Sequence, residues 1–292
     1  MRLFSLPKPG RSGTGRPPWP DGLRGKVVLI TGGAGGIAAA TAQRLAAAGA
    51  RVSLVDRDQA AVEQFVSQLG PRHLAIAADV SVYASLQAAT GRTVEHFGRL
   101  DIVFACAGVG SASTVAASST EDLLRIVDIN LGGVIRTVKA TLDEVTSNRG
   151  YYLLMSSAAA LKNVPRANAY AASKAGVEAF GGALRLELAH KGVDVGVAHP
   201  AWVRTGMISG PDTRAGESAS LPWPFRVVSS TGTCADLLVG AMAARRRKVF
   251  VPRSLALMEP LRWLSTGPLW DAFMRPRAAL SVARLESASP NE

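Results

Sequence analysis

Cysteine is almost missing from this chain: two residues in 292, Cys106 and Cys234, with no metal-type spacing and too few for a disulfide framework. A reduced, cytoplasmic protein is the expectation. Long apolar runs are missing too. No window approaches the roughly 18 apolar residues that a spanning helix requires, so an integral membrane protein is not expected. At the N-terminus, Pro7 and Pro9 break the apolar run that would follow the first charge in a secretion signal, and none is expected. Acid is scarce beside base, 22 Asp and Glu against 33 Lys and Arg, for a net charge of +11. That excess invites a polyanion partner, but its distribution argues otherwise. Residues 1–26 carry six bases and one acid, residues 245–292 carry nine and four, and the middle holds 18 and 17. The core has no sign of a nucleic-acid groove, and any polyanionic surface would meet the ends.

What is present organises into one large α/β domain with appended ends. Residues 1–24, rich in Pro, Gly and Arg, read as a disordered basic arm. From Lys26 onward, short apolar runs alternate with helical stretches, as in βαβ units with a parallel sheet. Strands are expected at 27–31, 51–56, 73–77, 100–105, 151–156, 193–198 and 248–251. They predict a single Rossmann-type, doubly wound domain with a seven-stranded parallel sheet over residues 25–252. Residues 253–292 form an apolar, helical C-terminal extension.

The first strand runs into Thr31-Gly32-Gly33-Ala34-Gly35-Gly36-Ile37 and an Ala-rich helix. Glycines there let the backbone turn tightly and approach a pyrophosphate, whose charge is favoured by free N–H groups at the helix start. About 20 residues on, Asp56 closes the second strand, where a carboxylate accepts hydrogen bonds from ribose hydroxyls and repels a 2′-phosphate. NAD is therefore favoured over NADP, although Arg57 beside it is able to pair with that phosphate. Tyr170 and Lys174 stand four apart, on one face of a helix. A phenol ordinarily titrates near ~10, and a neighbouring ammonium favours its ionised form. Alone, such a pair is an ordinary surface pair.

It has company. The sequence resembles the classical short-chain dehydrogenase/reductase family from about Gly25 to Val251. The motifs follow the family's order: Thr31-Gly32-x-x-x-Gly36-Ile37, Asp79-Val80, Cys106-Ala107-Gly108, Asn130, Ser156-Ser157, Tyr170-x-x-x-Lys174 and Pro200-Ala-Trp-Val-Arg-Thr205. The resemblance implies an NAD(P)-dependent enzyme interconverting an alcohol and its ketone or aldehyde. Tyr170 would be the general acid/base, Ser157 would orient the substrate oxygen, and Lys174 would bind the nicotinamide ribose and assist Tyr170. Asn130, in the helix after the fourth strand, would hold a water linking Lys174 to solvent. Asp79 and Val80 would flank the adenine, Gly108 would lie near the cofactor, and Val203 and Thr205 would hold the carboxamide.

Departures from the family pattern are Ala38 for the third glycine, Cys106 for an Asn, and Ala201 for a Gly. The resemblance also implies a homodimer or homotetramer through helices spanning 121–148 and 168–190. Two other readings compete. One is a non-catalytic NAD-binding redox sensor or scaffold, which would typically lose the Tyr or Lys retained here. The other is nucleic-acid binding through Arg245-Arg246-Arg247-Lys248, a run equally suited to an exposed helix end. The lid region 208–225, with Leu221, Trp223 and Phe225, suggests a hydrophobic alcohol or ketone. In the extension, Leu257, Met258, Leu261 and Leu264 recur at helical spacing past Pro260, and Arg262, Arg275 and Arg277 lie beside Trp263 and Trp270. The segment folds back over the substrate pocket or a neighbouring subunit, or it lies peripherally on an anionic membrane.

Overall fold

The structure, a computed structural model, describes residues 21–110, 113–205 and 221–286. Most of the N-terminal arm (1–20), most of the lid region (206–220) and the last residues (287–292) lie outside the described residues.

Seven strands form the main sheet in the order β3-β2-β1-β4-β5-β6-β9: β1 Val27–Thr31, β2 Arg51–Asp56, β3 Leu74–Ala77, β4 Ile102–Ala105, β5 Tyr151–Met155, β6 Asp194–Pro200 and β9 Lys248–Val251. Every pairing is parallel. Helices cover both faces, so the central strands are continuous apolar runs rather than alternating ones; all five residues of β1 are buried. Side chains still alternate between two half-cores. Val28 and Ile30 point to the layer of α1 (Gly36–Ala47), α2 (Gln59–Leu69) and α7 (Thr231–Ala243). Val27 and Leu29 point to the layer of α3 (Tyr83–Phe97), α5 (Gly133–Ser147) and α6 (Asn168–Leu188). Each such fully buried aliphatic side chain contributes about 1.5–3 kcal/mol. The chain winds outward from β1 to β3, then restarts at β4 on the other side of β1. This places a crevice beyond the carboxyl ends of β1 and β4, where doubly wound sheets bind ligands.

The structure departs from the expectations in four places. The arm was expected to reach residue 24, but Asp21–Leu23 form a 3-10 turn and Leu23 is buried in the core. The helix expected over 121–148 is α4 (Thr120–Val127) and α5 joined by a π-helical turn, Asp128–Gly132. A small parallel pair, β7 Trp202–Val203 with β8 Val228–Ser229, was not anticipated, since two-residue strands carry no periodicity. Finally, the helical spacing around Pro260 does not make one helix. Pro260, which lacks an N–H, lies between a 3-10 helix, Arg253–Met258, and α8, Arg262–Thr266, which is followed by α9, Pro268–Glu286.

The run Arg245–Lys248 closes the bottom of the sheet. Arg245 reaches Asp194 at 2.6 Å and the carbonyls of Arg149, Gly150 and Gly192 at 2.7 to 3.1 Å, tying three loops together.

Candidate active site

The glycine turn sits where the crevice opens. Gly32 takes a left-handed φ of 72°, and a Cβ on it would meet the Ala107 Cα at 2.8 Å, so the turns after β1 and β4 touch only because this position is glycine. Thr31, buried at the end of β1, accepts hydrogen bonds at Oγ1 from the N–H groups of Cys106 (3.1 Å) and Ala107 (3.3 Å). That anchors the loop whose usual Asn is Cys106. Burial pushes the Cys106 thiol up to about 12, which keeps it protonated and unreactive. Ala38 is buried inside α1, where its methyl is accommodated.

A dinucleotide fits these residues. Helix α1 begins with exposed Gly36, and its N-cap, Gly35, supplies no side-chain hydrogen bond. Asp56 is held at the rim, its carboxylate accepting from the N–H groups of Ala34 (3.0 Å) and Asp58 (3.2 Å). Arg57 beside it is exposed. Asp79 accepts from the Ser81 N–H (2.8 Å) and hydroxyl (2.7 Å), and these bonds hold its carboxyl below the usual range. Val80 is buried, packed so closely on α5 that a Cβ on Gly133 would lie 2.9 Å from it. Thr205 stands over the start of α1, 3.4 Å from where a Gly36 Cβ would be. Val203 pairs with Ser229 in the small sheet, and its side chain is buried in the core, away from solvent.

Deeper in the crevice, Asn130, Lys174 and Gly108 come together, with the Tyr170 ring over Lys174 and Ser157 two residues past Met155. Lys174 is buried on α6, and its ammonium donates to the Met155 carbonyl at the end of β5 (2.9 Å) and lies 5.8 Å from the centre of the Tyr170 ring. Burial pushes it down to about 8. A Cβ on Gly108 would fall 2.9 Å from Asn130 Oδ1 and 3.4 Å from Lys174 Nζ, so this position too requires glycine. Asn130 occupies the π turn, a local widening often found at functional sites. Its amide is fully engaged: Oδ1 accepts from Val109 N–H (2.8 Å), and Nδ2 donates to Val109 carbonyl (3.0 Å) and Ser173 Oγ (3.1 Å). Ser173 in turn donates to the Tyr170 carbonyl at 2.7 Å. Residue reading overlooked Ser173; a serine buried one position before Lys174 is its only signature.

The two serines divide their work. Ser156 is buried and donates to the Lys174 carbonyl (2.7 Å), which binds β5 to α6. Ser157 caps the 3-10 turn Ala158–Leu161, its Oγ accepting from Ala159 N–H at 3.1 Å, with a long 3.4 Å contact to the Pro200 carbonyl. Beyond it, Ala158, Leu161, Leu221, Phe225 and residues of the C-terminal extension, among them Leu255, Trp270 and Met274, form a third apolar cluster. The extension therefore packs against the turn that follows Ser157.

A glycine turn, a strand-end carboxylate and a helix face that sets Tyr170 over a buried Lys174, at the switch point of a parallel sheet, define a nucleotide-binding oxidoreductase of Rossmann type. A family model described as short chain dehydrogenase matches residues 26–214, and the chain belongs to the short-chain dehydrogenase/reductase family. It is 36% identical to (-)-trans-carveol dehydrogenase of Rhodococcus erythropolis over 233 residues, 72% of this chain and 83% of that one. It is 35% identical to short-chain reductase protein NovJ of Streptomyces niveus over 186 residues, 62% of this chain and 71% of that one. The crystal structure of 3-ketoacyl-(acyl-carrier-protein) reductase from Brucella melitensis complexed with NADH superposes with a TM-score of 0.72 at 28% identity, covering 80% of this chain and 99% of that one. Membership makes the chain an oxidoreductase of alcohol and carbonyl groups that uses a nicotinamide cofactor. No described helix is long and apolar enough to cross a membrane.

Proposed function

We propose that the chain interconverts a hydrophobic alcohol and its ketone or aldehyde, with NAD preferred to NADP. The observation that carries this reading is Lys174, buried, anchored to the Met155 carbonyl and facing the Tyr170 ring. The cofactor, when bound, supplies or accepts the hydride. Tyr170 holds the proton that the substrate oxygen gains on reduction and loses on oxidation. Ser157 donates a hydrogen bond to that oxygen and orients it. Lys174 holds the nicotinamide ribose, and its positive charge stabilises the ionised phenol of Tyr170. With both ends of its amide taken, Asn130 would hold the linking water through its main-chain carbonyl. Thr31, Gly32, Gly36 and Ile37 would cradle the pyrophosphate, Asp79 and Val80 would flank the adenine, Gly108 would lie near the cofactor beside Lys174, and Thr205 and the backbone of Val203 would meet the carboxamide. Tyr170→Phe is expected to lower kcat by about 100-fold or more while NADH still binds, measured by turnover and cofactor fluorescence. A variant that keeps most of its activity would overturn the assignment.

Asp56 supports the cofactor preference, since its anchored carboxylate offers acceptors to ribose hydroxyls and repels a 2′-phosphate. Asp56→Ala is expected to weaken NAD binding and narrow the preference, read from Kd values for both cofactors. A wild type that prefers NADP points to Arg57 instead.

The apolar cluster beyond Ser157 favours a hydrophobic substrate, in keeping with a relative named for carveol. The chain would work as a homodimer or homotetramer. It would also touch anionic membranes through the extension, where Leu257, Leu261, Trp263 and Leu269 are exposed and so are Arg275 and Arg277. The scaffold reading is tested by single-turnover oxidation of bound NADH with a ketone panel.

A further inference from the structure

Two elements carry the proposed chemistry, the turn that follows Ser157 and the helix α6 that carries Tyr170 and Lys174. One side chain from outside both holds them together. Arg262, at the start of α8, donates through one guanidinium nitrogen to Glu178 Oε2 (3.2 Å) and through the other to the Ala160 carbonyl (2.5 Å). Glu178 lies one helical turn beyond Lys174, and Ala160 lies in the 3-10 turn that Ser157 caps. Ala160 N–H also donates to the Ser157 carbonyl at 3.0 Å, so a pull on residue 160 is felt at 157.

The grip on this turn is not a single bond. Ser265 Oγ donates to the Leu161 carbonyl (2.6 Å), the Ser265 carbonyl accepts from Asn163 N–H (3.1 Å), and Trp270 Nε1 donates to the Asn163 carbonyl (2.6 Å). On the other side, Glu178 is a charged hub. It is 14% exposed at its side chain, accepts from Lys248 at 3.0 Å and faces the buried His199 ring at 3.6 Å, while Lys248 also pairs with Glu259 of the extension. His199 first, and Lys248 after it, hold the Glu178 carboxyl down to about 2, so it is ionised at any working pH. A planar guanidinium suits this place because its fork serves two acceptors in fixed directions at once; an ammonium is a point charge.

We infer that Arg262 is a positioning residue for the reaction: by bridging Glu178 to the Ala160 carbonyl it sets the distance between the turn that carries Ser157 and the helix that carries Tyr170 and Lys174. The C-terminal extension is thereby a brace on the catalytic geometry. The inference rests on the proposed function, because it assigns Ser157 and Tyr170 a common substrate oxygen. Displacing a reacting group by an ångström costs up to about 100-fold in rate even when the change lies away from the chemistry.

The test is made on the full chain, with wild type, Arg262→Ala and Arg262→Lys. Two readouts are taken. One is hydrogen exchange of peptides spanning 158–164 and of the sheet strands; the other is kcat, KM and NADH Kd on the best substrate of a ketone panel. In Arg262→Ala, exchange at 158–164 is expected to rise about tenfold with the strands unchanged. Its kcat should fall by about tenfold or more, with NADH Kd within about twofold of wild type. Arg262→Lys, which reaches either acceptor without the fork, should fall between the two. A folded Arg262→Ala protein with kcat within about twofold of wild type overturns the proposal, whatever its exchange does. Should that variant fail to fold, Arg262→Lys decides on the same criterion. A wild type without turnover on the panel overturns the proposed function instead. Exchange then decides the brace: protection at 158–164 that survives in Arg262→Ala sinks it.

Discussion

Lys174 shows how a residue required for chemistry is carried at a cost to the fold. Its ammonium is buried and lowered to about 8, against 10.5 for the free side chain. The unfolded chain therefore binds the proton more tightly. The contribution of this group to stability is complete above 10.5 and is lost as pH falls through about 8, so at neutral pH the buried charge weakens the fold. Lys174→Met is accordingly expected to abolish turnover and to weaken cofactor binding while the Tm of the cofactor-free protein at pH 7 does not fall. Melting curves at pH 7 and pH 10 check this, and the gap between variant and wild type should close at the higher pH. A Tm clearly below that of wild type at pH 7 would mean that the bond to the Met155 carbonyl outweighs the burial of charge. The pairing of Tyr170 and Lys174 was readable from their spacing, because helical periodicity places residues four apart on one face. Ser173 was not, because its value lies in linking Asn130, 43 positions earlier, to the Tyr170 backbone.

Among the elements, β2 and β3 are joined by a side chain as well as by their ladder. The Val52 N–H donates to His73 Nδ1 at 3.2 Å, just before β3 begins. Burial, and then the neighbouring Arg72, lower the His73 pKa below 6.5, which keeps the ring neutral and its nitrogen lone pair available. Protonation removes that acceptor. The stability this ring contributes is thus full above 6.5 and is lost as pH falls through the lowered value. His73→Phe should cost about 1–3 kcal/mol at pH 8, by leaving a buried N–H without its acceptor, and should lose less than wild type between pH 8 and pH 5. Urea unfolding at the two pH values measures both, and parallel pH profiles would exclude His73 as a contributor. The strand itself was legible from its apolar run, whereas the histidine that trims its edge read as part of that strand.

At the scale of the whole molecule, large apolar side chains stand in solvent on the expected subunit helices and on the extension, among other places. Leu124 on α4, Ile135 on α5 and Leu186 on α6 are 63%, 41% and 74% exposed, on helices expected to pair between subunits. On the extension, Trp263 and Leu269 are 64% and 74% exposed. Light scattering is expected to give a dimer or tetramer, and Leu124→Glu with Ile135→Glu a smaller species of unchanged circular dichroism. A monomeric wild type would count against the subunit pairing. The oligomer should sediment with anionic vesicles at low salt and lose that binding when Trp263 and Leu269 are both changed to Glu; no sedimentation of the wild type would end the membrane reading.

The sequence alone determined the layers of this protein and the residue types at its site. Apolar runs of strand length, the left-handed turn at Gly32 and the four-residue spacing of Tyr170 and Lys174 are local constraints, and local sterics and periodicity write them directly into residue order. Only the tertiary structure decided what lies between those points. The π turn that places Asn130 against Val109, the short β7–β8 pair, and the reach of Arg262 to Glu178 and Ala160 join positions tens of residues apart. Such contacts obey no period. They arise because buried carbonyls, carboxylates and amides must find partners wherever the packed chain brings one within hydrogen-bonding distance.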